Sequence, residues 1–352
     1  MTTINARQFQ RGSILVFTLW VLMVIGRFAL AVGTQARQRL RYVQQFEIRD
    51  RLRLAADAGV KRAKQMVQES KKLPSHSLID AWSNQEKSFK DIDLKGAFCT
   101  VSSVSPMNGA VRYGAVDETR KIDLNKMKSP VILAGIFEFG AGVSKSAAQE
   151  IAASIMDWRD EDDVLNAGGA ETRYYRSFSP PYEAKNASLD TLEELLLVKG
   201  VTPEIFFRVQ PYVTVDGESV FNINTAPPPV FLAYGFSPGL VEKIMSYRRG
   251  RDLVEGTLDD RIFKNQGTIV ADLKQVVSLG PDEEKSLRDF SESGILDVKS
   301  YMFSASSTAW LERRKERLTL NCYFSLDGGV RRCQETFALA EDQEAGPKTL
   351  VG

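Results

Sequence analysis

The sequence predicts an α+β protein with a long N-terminal helix, an antiparallel sheet and a large inserted all-α domain. Three observations lead to this prediction. An apolar run near the N-terminus continues without a break into an amphipathic segment. Alternating apolar and polar residues, which are typical of strands, occur in two regions that lie far apart along the chain. Between those regions, a short pattern of glycine, apolar residue and hydroxyl residue recurs three times.

Composition argues against several classes of function. The 352 residues carry 46 basic and 45 acidic side chains, so the surface as a whole is not built for nucleic acid. His76 is the single histidine, which argues against histidine metal sites and against a Ser-His-Asp triad. Its polar surroundings predict a solvated loop residue. We predict that the protein is not an enzyme.

The first element is the apolar run from Ser13 to Gly33, whose only charged residue is Arg27. The run is long enough to span a bilayer. Three interpretations fit it: a secretory signal cut near Val32, an uncleaved anchor, and a prepilin-type leader that is cut after Gly12. Arg27 is unexpected in all three, because a charge inside a membrane is costly.

The segment from Thr34 to Ser70 favours an anchor over a secretory signal. It contains no proline, and its apolar residues from Leu40 to Val67 recur mostly at three- and four-residue steps. This pattern predicts one continuous helix that is about half in lipid and half in water. A secretory signal would more often end in a break.

The sheet is predicted from strands on both sides of the repeats. Residues 97–105 and 110–118 read as a hairpin, and residues 301–310, 317–326 and 330–339 read as a C-terminal meander. These strands are expected to pack on the helix that ends at Ser70. Residues 341–352 are predicted to form a disordered tail.

Two of the three cysteines lie in the last predicted hairpin. Cys322 and Cys333 flank the turn signal Asp327-Gly328-Gly329. If the loop has two residues, Cys322 faces Cys333. Facing cysteines can form a disulfide in an oxidising compartment. The alternative is that Cys322 and Cys333 are two separate buried thiols. Cys99 would be unpaired.

The repeated pattern is Gly, an apolar residue, and Ser or Thr, followed seven positions later by an apolar β-branched residue. Its copies begin at Gly142, Gly200 and Gly235. The glycine suits the left-handed position that ends one helix, and the hydroxyl suits the cap of the next. Two copies also open alike, with "IDLN" at Ile122 and "FNIN" at Phe221. The repeats therefore predict a helix-hairpin-helix arrangement.

Helix-hairpin-helix units are best known for gripping the DNA backbone. Residues 122–215 carry 14 acidic and 9 basic side chains, so their net charge is 9 − 14 = −5. A protein that grips DNA needs the opposite sign. We therefore expect a helical packing module and no nucleic-acid partner. A membrane-tethered DNA-binding protein of the competence type is the alternative.

An acidic loop follows the first repeat. Asp160 to Asp163 are four consecutive acids, and Glu171 follows nearby. Like charges this dense are costly unless water or a cation neutralises them. Carboxylates on a turning loop suit calcium, although the spacing matches only half of an EF-hand loop. A calcium site and a solvated acidic loop both remain open, and a catalytic carboxylate pair is the least favoured interpretation.

Together these features resemble the minor pseudopilin K family of the type II (general) secretion pathway. The matching stretches are "RGSILVFTLWVL", "IDLN", "IMDWRDEDD", "GGAETRYY", "DTLEELLLVKGVTPE" and "FNINTA". The resemblance implies a pilin-like αβ domain into which a large all-α domain of helix-hairpin-helix (SAM-like) repeats is inserted. The implied segments are a leader (1–12), an anchor (13–33), the periplasmic part of the helix (34–70), the αβ domain (71–121 and 251–340), the inserted domain (122–250) and the tail (341–352).

The resemblance also implies processing and a role. Prepilin peptidase would cut between Gly12 and Ser13, and Ser13 would be N-methylated. The fifth mature residue is then Phe17, where most pilins carry Glu; K-type members also lack this Glu, which fits a subunit with nothing above it. The implied role is a pseudopilus tip subunit that initiates assembly with minor pseudopilins I and J and other components of the system. It would support export across the outer membrane.

Location and metal binding are implied in the same way. The chain would cross the bacterial inner membrane once, with its bulk in the periplasm. Members of the family bind calcium in the helical domain. The resemblance therefore makes four acids the first ligand candidates and three further residues secondary candidates. The candidates are Asp160, Asp162, Asp163 and Glu171, followed by Asp157, Asn166 and Asn186.

Overall fold

The protein is described by a computed structural model, which covers residues 10–106 and 109–339, with side chains from residue 14 onward. It divides into two compact units, Met1–Leu54 and Ala55–Gly352. Helix α1 (Gln10–Ser70) is continuous. Among the described residues it is the one helix that is long and apolar enough to cross a membrane. The predicted continuation of the apolar run into a long helix is therefore confirmed.

The remaining helices are mostly short. In chain order they are α2 (Glu86–Phe89), α3 (Pro130–Ile136), α4 (Lys145–Arg159), α5 (Thr172–Tyr175), α6 (Pro203–Val209), α7 (Pro228–Ala233), α8 (Pro238–Arg248), α9 (Ile269–Lys274) and α10 (Pro281–Glu292). Helix α3 continues into a π-helical turn, Phe137–Ala141, and 3₁₀ turns cover Leu192–Leu197, Gln210–Tyr212 and Gln266–Thr268.

The strands of the described residues form one large sheet and two short pairs. They are β1 (Ile92–Asp93), β2 (Ala97–Val104), β3 (Val111–Tyr113), β4 (Val116–Asp117), β5 (Ile122–Asp123), β6 (Val213–Thr214), β7 (Phe221–Asn222), β8 (Leu296–Asp297), β9 (Met302–Leu311), β10 (Glu316–Ser325) and β11 (Val330–Leu339). The large sheet is antiparallel in the order β1-β2-β9-β10-β11, with β3 beside β2 and β4 beside β9. Strands from both sides of the helical region therefore meet at β2 and β9, as predicted.

The C-terminal part of α1 packs on this sheet within the second unit. Its predicted apolar stripe is buried at Ala56, Val60, Ala63 and Val67. At Gly59 the helix lies so close to β9 of the sheet that a Cβ added to this glycine would lie 2.3 Å from the Ser307 hydroxyl oxygen. A residue without a side chain is therefore needed where helix and sheet are closest.

The last hairpin pairs Cys322 with Cys333, and the two are joined by a disulfide with their Cα atoms 4.1 Å apart. The turn differs from the predicted two-residue loop. Ser325 donates its N–H to the Gly329 carbonyl at 2.9 Å, which leaves three loop residues. Phe324 then faces Val330 while Tyr323 faces Arg332, so Arg331 is an extra residue on β11. This bulge restores the register at the cysteines, and the third cysteine, Cys99, is a buried free thiol.

The helix caps predicted from the repeats are confirmed. The side chains of Ser144, Thr202 and Ser237 accept the N–H groups three residues further on, at 3.2 to 3.3 Å. The glycine before each cap adopts a left-handed conformation, with φ of 70° at Gly142 and 84° at Gly200. Each cap thus begins a helix directly after a tight turn.

The helical core extends further along the chain than predicted. We call residues 122–298 the helical part, because one continuous cluster of buried side chains runs from Ile122 to Val298 and includes Phe263 and Leu287. Strand β8 also pairs in parallel with β7. Buried residues from Phe263 to Val298 therefore belong to this helical core, so the predicted boundary at residue 250 comes too early. The cause is a further helix pair, α9 and α10, whose connection lacks the repeated glycine-hydroxyl pattern.

His76 is fully buried, so its prediction as a solvated loop residue is wrong. Its Nδ1 accepts the Ser300 N–H at 2.9 Å, and its Nε2 lies 3.2 Å from the Ser70 carbonyl oxygen. The hydroxyls of Ser300 and Thr225 both donate to buried Asp117, each at 2.6 Å. This network joins the end of α1, the large sheet and the helical part. It is not a catalytic triad, because the serine hydroxyl bonds the carboxylate instead of the imidazole.

Candidate cation site

Three acidic side chains converge where α4 ends. Asp157 lies in the last turn of α4, Asp160 is the residue after the helix, and Glu171 precedes α5. One carboxylate oxygen from each lies within 4.8 Å of the others. Asp157 is fully buried and Glu171 is 5% exposed, so water does not surround the group.

Oxygen atoms at this point lack hydrogen-bond donors. Five buried side-chain oxygens at this place have no partner among the described residues: Asp157 Oδ2, Asp160 Oδ1, both carboxylate oxygens of Glu171, and Asn186 Oδ1. Asn186 is held there by its backbone, since its N–H donates to the Trp158 carbonyl at 2.9 Å. Buried acceptors without donors are rare in folded proteins, and each is costly. We call Asp157, Asp160, Glu171 and Asn186 the cation site.

The electrostatics of the cation site show that negative charge is not compensated there. Burial raises the pKa of Glu171 to about 7, and repulsion from Asp157, Asp160, Asp163 and Asp162 contributes in the same direction. Burial, together with the neighbouring aspartates, also raises the pKa of Asp160. Glu171 and Asp160 therefore resist ionisation beside the neighbouring aspartates, as expected where a positive charge is required.

The neighbouring arginine does not supply that charge. Arg159 directs its guanidinium to the carbonyl oxygens of Leu124 and Met127, at the start of the helical part. It thereby ties α4 to the chain after β5, and its guanidinium forms no salt bridge with these carboxylates.

A second acidic group, in the loop after α8, provides a contrast. Asp252, Asp259 and Asp260 also approach one another. Here the carboxylate of Asp259 accepts the Arg251 N–H at 2.7 Å, and that of Asp260 accepts the Gly256 N–H at 2.7 Å. This loop satisfies its carboxylates with backbone donors, whereas Asp157 Oδ2, Asp160 Oδ1 and both carboxylate oxygens of Glu171 have no donor in the cation site.

The donor set of the cation site fits a hard cation. All of its unpartnered atoms are oxygens, three of the four residues are carboxylates, and there is no histidine or cysteine among them. Calcium takes six to eight oxygen ligands in flexible geometry, and carboxylates and amide carbonyls are its usual protein ligands. The four residues leave further positions for water or the nearby backbone.

The structure changes the ranking of the ligand candidates. Asp160 and Glu171 converge as predicted, and Asp157, predicted only as a reserve, is the most buried member. Asp162 and Asp163 lie outside the convergent group; both are exposed, and Asp162 accepts the Val164 N–H at 2.8 Å. Asn166 acts as a donor to Asp157. The sequence feature that could have identified Asp157 as a ligand candidate is its position on the buried face of α4, next to Trp158.

The two residues at the predicted cleavage site lie at the N-terminal edge of the described residues. Gly12 and Ser13 lie in the first turn of α1, and their side chains are outside the described residues. The leader up to residue 9 and the tail from residue 341 are also outside them. Cleavage after Gly12 and methylation of Ser13 remain predictions.

The long apolar helix, the split antiparallel sheet and the helical part with its acidic site define an α+β protein whose N-terminal helix is long and apolar enough to cross a membrane. Residues 139–217 match the family model "Type II secretion system (T2SS), protein K". Type II secretion system protein K of Aeromonas hydrophila is 30% identical over 181 residues, which cover 50% of this chain and 54% of that protein. A putative type II secretion system protein K of Escherichia coli K12 is 36% identical over 107 residues, covering 30% and 33%.

A solved structure shares the fold. A chain from the GspK-GspI-GspJ complex of the enterotoxigenic Escherichia coli type 2 secretion system superimposes with a TM-score of 0.59 at 18% identity. The match covers 84% of this chain and 99% of that one. The alignments with these two curated relatives span about a third to about half of the relatives' length. The matches confirm the resemblance of this chain to type II secretion system protein K.

Proposed function

We propose that the protein is a minor pseudopilin of a type II secretion system. The observation that carries the proposal is the family match over residues 139–217, which includes all four residues of the cation site. Helix α1 supports it, because one continuous helix provides both an apolar anchor and a stem packed on the sheet. Its role would be assembly, and no chemistry of its own is required.

The proposed position is the tip of the pseudopilus, where the protein initiates assembly and supports export across the outer membrane. Cleavage after Gly12 by prepilin peptidase would make Phe17 the fifth mature residue. A subunit with no neighbour above it does not need the glutamate that most pilins carry there. The proposed partners are I-type and J-type minor pseudopilins, by analogy with the complex named for the solved structure. The anchor would lie in the inner membrane and the rest in the periplasm, where a disulfide between Cys322 and Cys333 can form.

We also propose that the cation site binds calcium. Asp157, Asp160 and Glu171 would supply carboxylate oxygens, and Asn186 its amide oxygen. Bound calcium would supply the positive charge that these buried groups lack. The residues themselves join three segments: α4 through Asp157, the start of α5 through Glu171, and the loop at Asn186. The site would therefore stabilise the helical part instead of catalysing a reaction.

The helical part is proposed to be a packing module of helix-hairpin-helix repeats. Its turns have the expected glycines and caps. Residues 122–215, however, carry 9 basic and 14 acidic side chains, which gives a net charge of −5. Binding of duplex DNA by the purified chain at low salt, lost as salt rises, would instead favour the competence-type alternative.

A deletion and rescue experiment tests the proposed function. In the source bacterium, loss of the gene should abolish export of a type II substrate, and the wild-type chain should restore it. The full chain should also co-purify with the I-type and J-type pseudopilins of the same bacterium. Gly12→Glu should restore neither, because the leader would not be removed. Normal export in the deletion strain would refute the proposal.

A further inference from the structure

Arg27 has no opposite charge within reach in its own anchor. It is the single charged residue between Ser13 and Gly33, and the chain contains no Asp or Glu before Glu47. Glu47 is 20 residues further along the continuous helix, which corresponds to about 30 Å. A guanidinium keeps its charge at any relevant pH, so it cannot escape the membrane interior by losing a proton.

The depth of Arg27 makes contact with water difficult. The residue lies about 21 Å along the helix from Ser13 and about 9 Å from Gly33. Helical side chains tilt toward the N-terminus of their helix. The side chain of Arg27 therefore leads away from the nearer membrane surface and toward the level of Met23 and Val24, in the middle of the apolar run. Reaching the nearer surface would require the side chain to turn against this tilt.

The surroundings of Arg27 are open for a partner. Along residues 14–33 every described side chain is exposed or half-buried, and Met23 and Phe28 are 60% and 72% exposed. A neighbouring helix can therefore approach at this level. Charged residues inside a membrane usually face such a partner and pair with it.

We propose that Arg27 pairs with a carboxylate on the membrane helix of a neighbouring subunit, so that the anchor recognises an acid-bearing helix. The proposal rests on the membrane anchoring given under the proposed function. Arginine suits this task because its planar guanidinium can hold a carboxylate through two parallel hydrogen bonds. The choice between acidic and neutral helices would then be made inside the membrane, where an unpaired charge is most costly.

A synthetic membrane helix provides the test. The probe is a leucine-rich peptide of about 21 residues, the length that spans a bilayer, with one Glu at its centre. A matched peptide has Gln at the same position. The full chain is reconstituted in phosphatidylcholine vesicles, and association is followed by energy transfer between dyes on chain and peptide. Arg27→Gln is the test variant, and Arg41→Gln, which lies outside the apolar run, is the matched control.

The expected result is that the wild-type chain and Arg41→Gln bind the Glu peptide at least tenfold more tightly than the Gln peptide. Arg27→Gln should lose this preference. Equal binding of the two peptides by the wild-type chain would overturn the inference, as would a preference that survives in Arg27→Gln. A Glu preference that disappears when phosphatidylglycerol is added would also overturn it, since Arg27 would then favour an anionic lipid headgroup.

Alkaline extraction of the vesicles separates the two proposals. If the chain is released, the anchoring fails and the inference fails with it. If the chain stays in the vesicles without a Glu preference, only the inference fails.

Discussion

Lowering the pH from 7.5 to 5.5 is expected to weaken calcium binding at the cation site about 25-fold. Without a cation, the pKa of Glu171 is raised from 4.5 to about 7. Calcium needs the ionised carboxylate, so binding below pH 7 must release a proton. The ionised fraction of a group with a pKa of 7 is about 0.76 at pH 7.5 and about 0.03 at pH 5.5, and the ratio gives the expected loss of affinity.

The same shift sets the pH dependence of the calcium-free protein. A carboxyl whose pKa is higher in the folded state than in the unfolded state binds more protons when folded. Stability is therefore highest below pH 4.5 as far as this group is concerned, and it falls as the pH rises from 4.5 to about 7. The total loss from Glu171 is about 3 kcal/mol. Calcium should reverse this trend, because the bound cation favours the ionised form.

Isothermal titration calorimetry of the full chain in detergent measures the first effect. Titrations in two buffers with different ionisation enthalpies report the number of protons released. Glu171→Gln removes the titrating group, so its weaker affinity should change less than threefold between the two pH values. An affinity of the wild-type chain that is constant across this range, or calcium binding that is unchanged in Glu171→Gln, would refute the reasoning.

Three substitutions test other parts of the structure. Gly169→Ala should weaken calcium binding at least tenfold, because the new Cβ would lie 2.1 Å from Oδ2 of Asp157; calorimetry measures the affinity. Gly135→Ala should destabilise the helical part by about 1–3 kcal/mol, because its Cβ would press on the backbone of α7, and chemical denaturation measures the loss. Removing the disulfide by Cys322→Ala with Cys333→Ala should cost about 3 kcal/mol, since the bond closes a short loop, and thermal unfolding measures the cost.

Controls separate these effects from general damage. Gly239→Ala is a helical glycine whose nearest neighbour, an oxygen of Glu283, would lie 4.0 Å from the new Cβ, and it should leave both calcium affinity and stability nearly unchanged. Wild-type calcium affinity in Gly169→Ala would contradict the placement of Asp157. An unchanged denaturation midpoint in Gly135→Ala would contradict the close approach of α3 and α7. An unchanged Tm in the cysteine double variant would mean that the bond does not constrain the unfolded chain.

Features set by local patterns could be predicted from the sequence. Helix α1 follows from a long apolar run and an unbroken helical period. The caps at Ser144, Thr202 and Ser237 follow from a turn glycine and a hydroxyl at a fixed spacing. Strands on both sides of the repeats were recognisable from alternation, although pairing of β2 with β9 is a tertiary contact.

Features set by packing between distant parts of the chain could not be predicted from the sequence. Asp157 is a weaker candidate than Asp162 by sequence alone, because the acids are densest after α4 and the buried face of α4 is set by tertiary packing. His76 reads as polar surface, yet its partner Ser300 lies 224 residues away. The hairpin at Cys322 kept its pairing only because Arg331 bulges and compensates for a longer loop. The incorrect predictions for Asp157 and His76 depend on neighbours that no local window contains, whereas the bulge at Arg331 lies within the hairpin itself.

Mass spectrometry of the mature amino terminus tests the central claim most directly. The full chain is purified from the membranes of cells that contain prepilin peptidase. The proposed function predicts that the mature chain begins at Ser13 and carries one N-terminal methyl group. A chain that begins near Val32, or one that keeps residues 1–12, would contradict it.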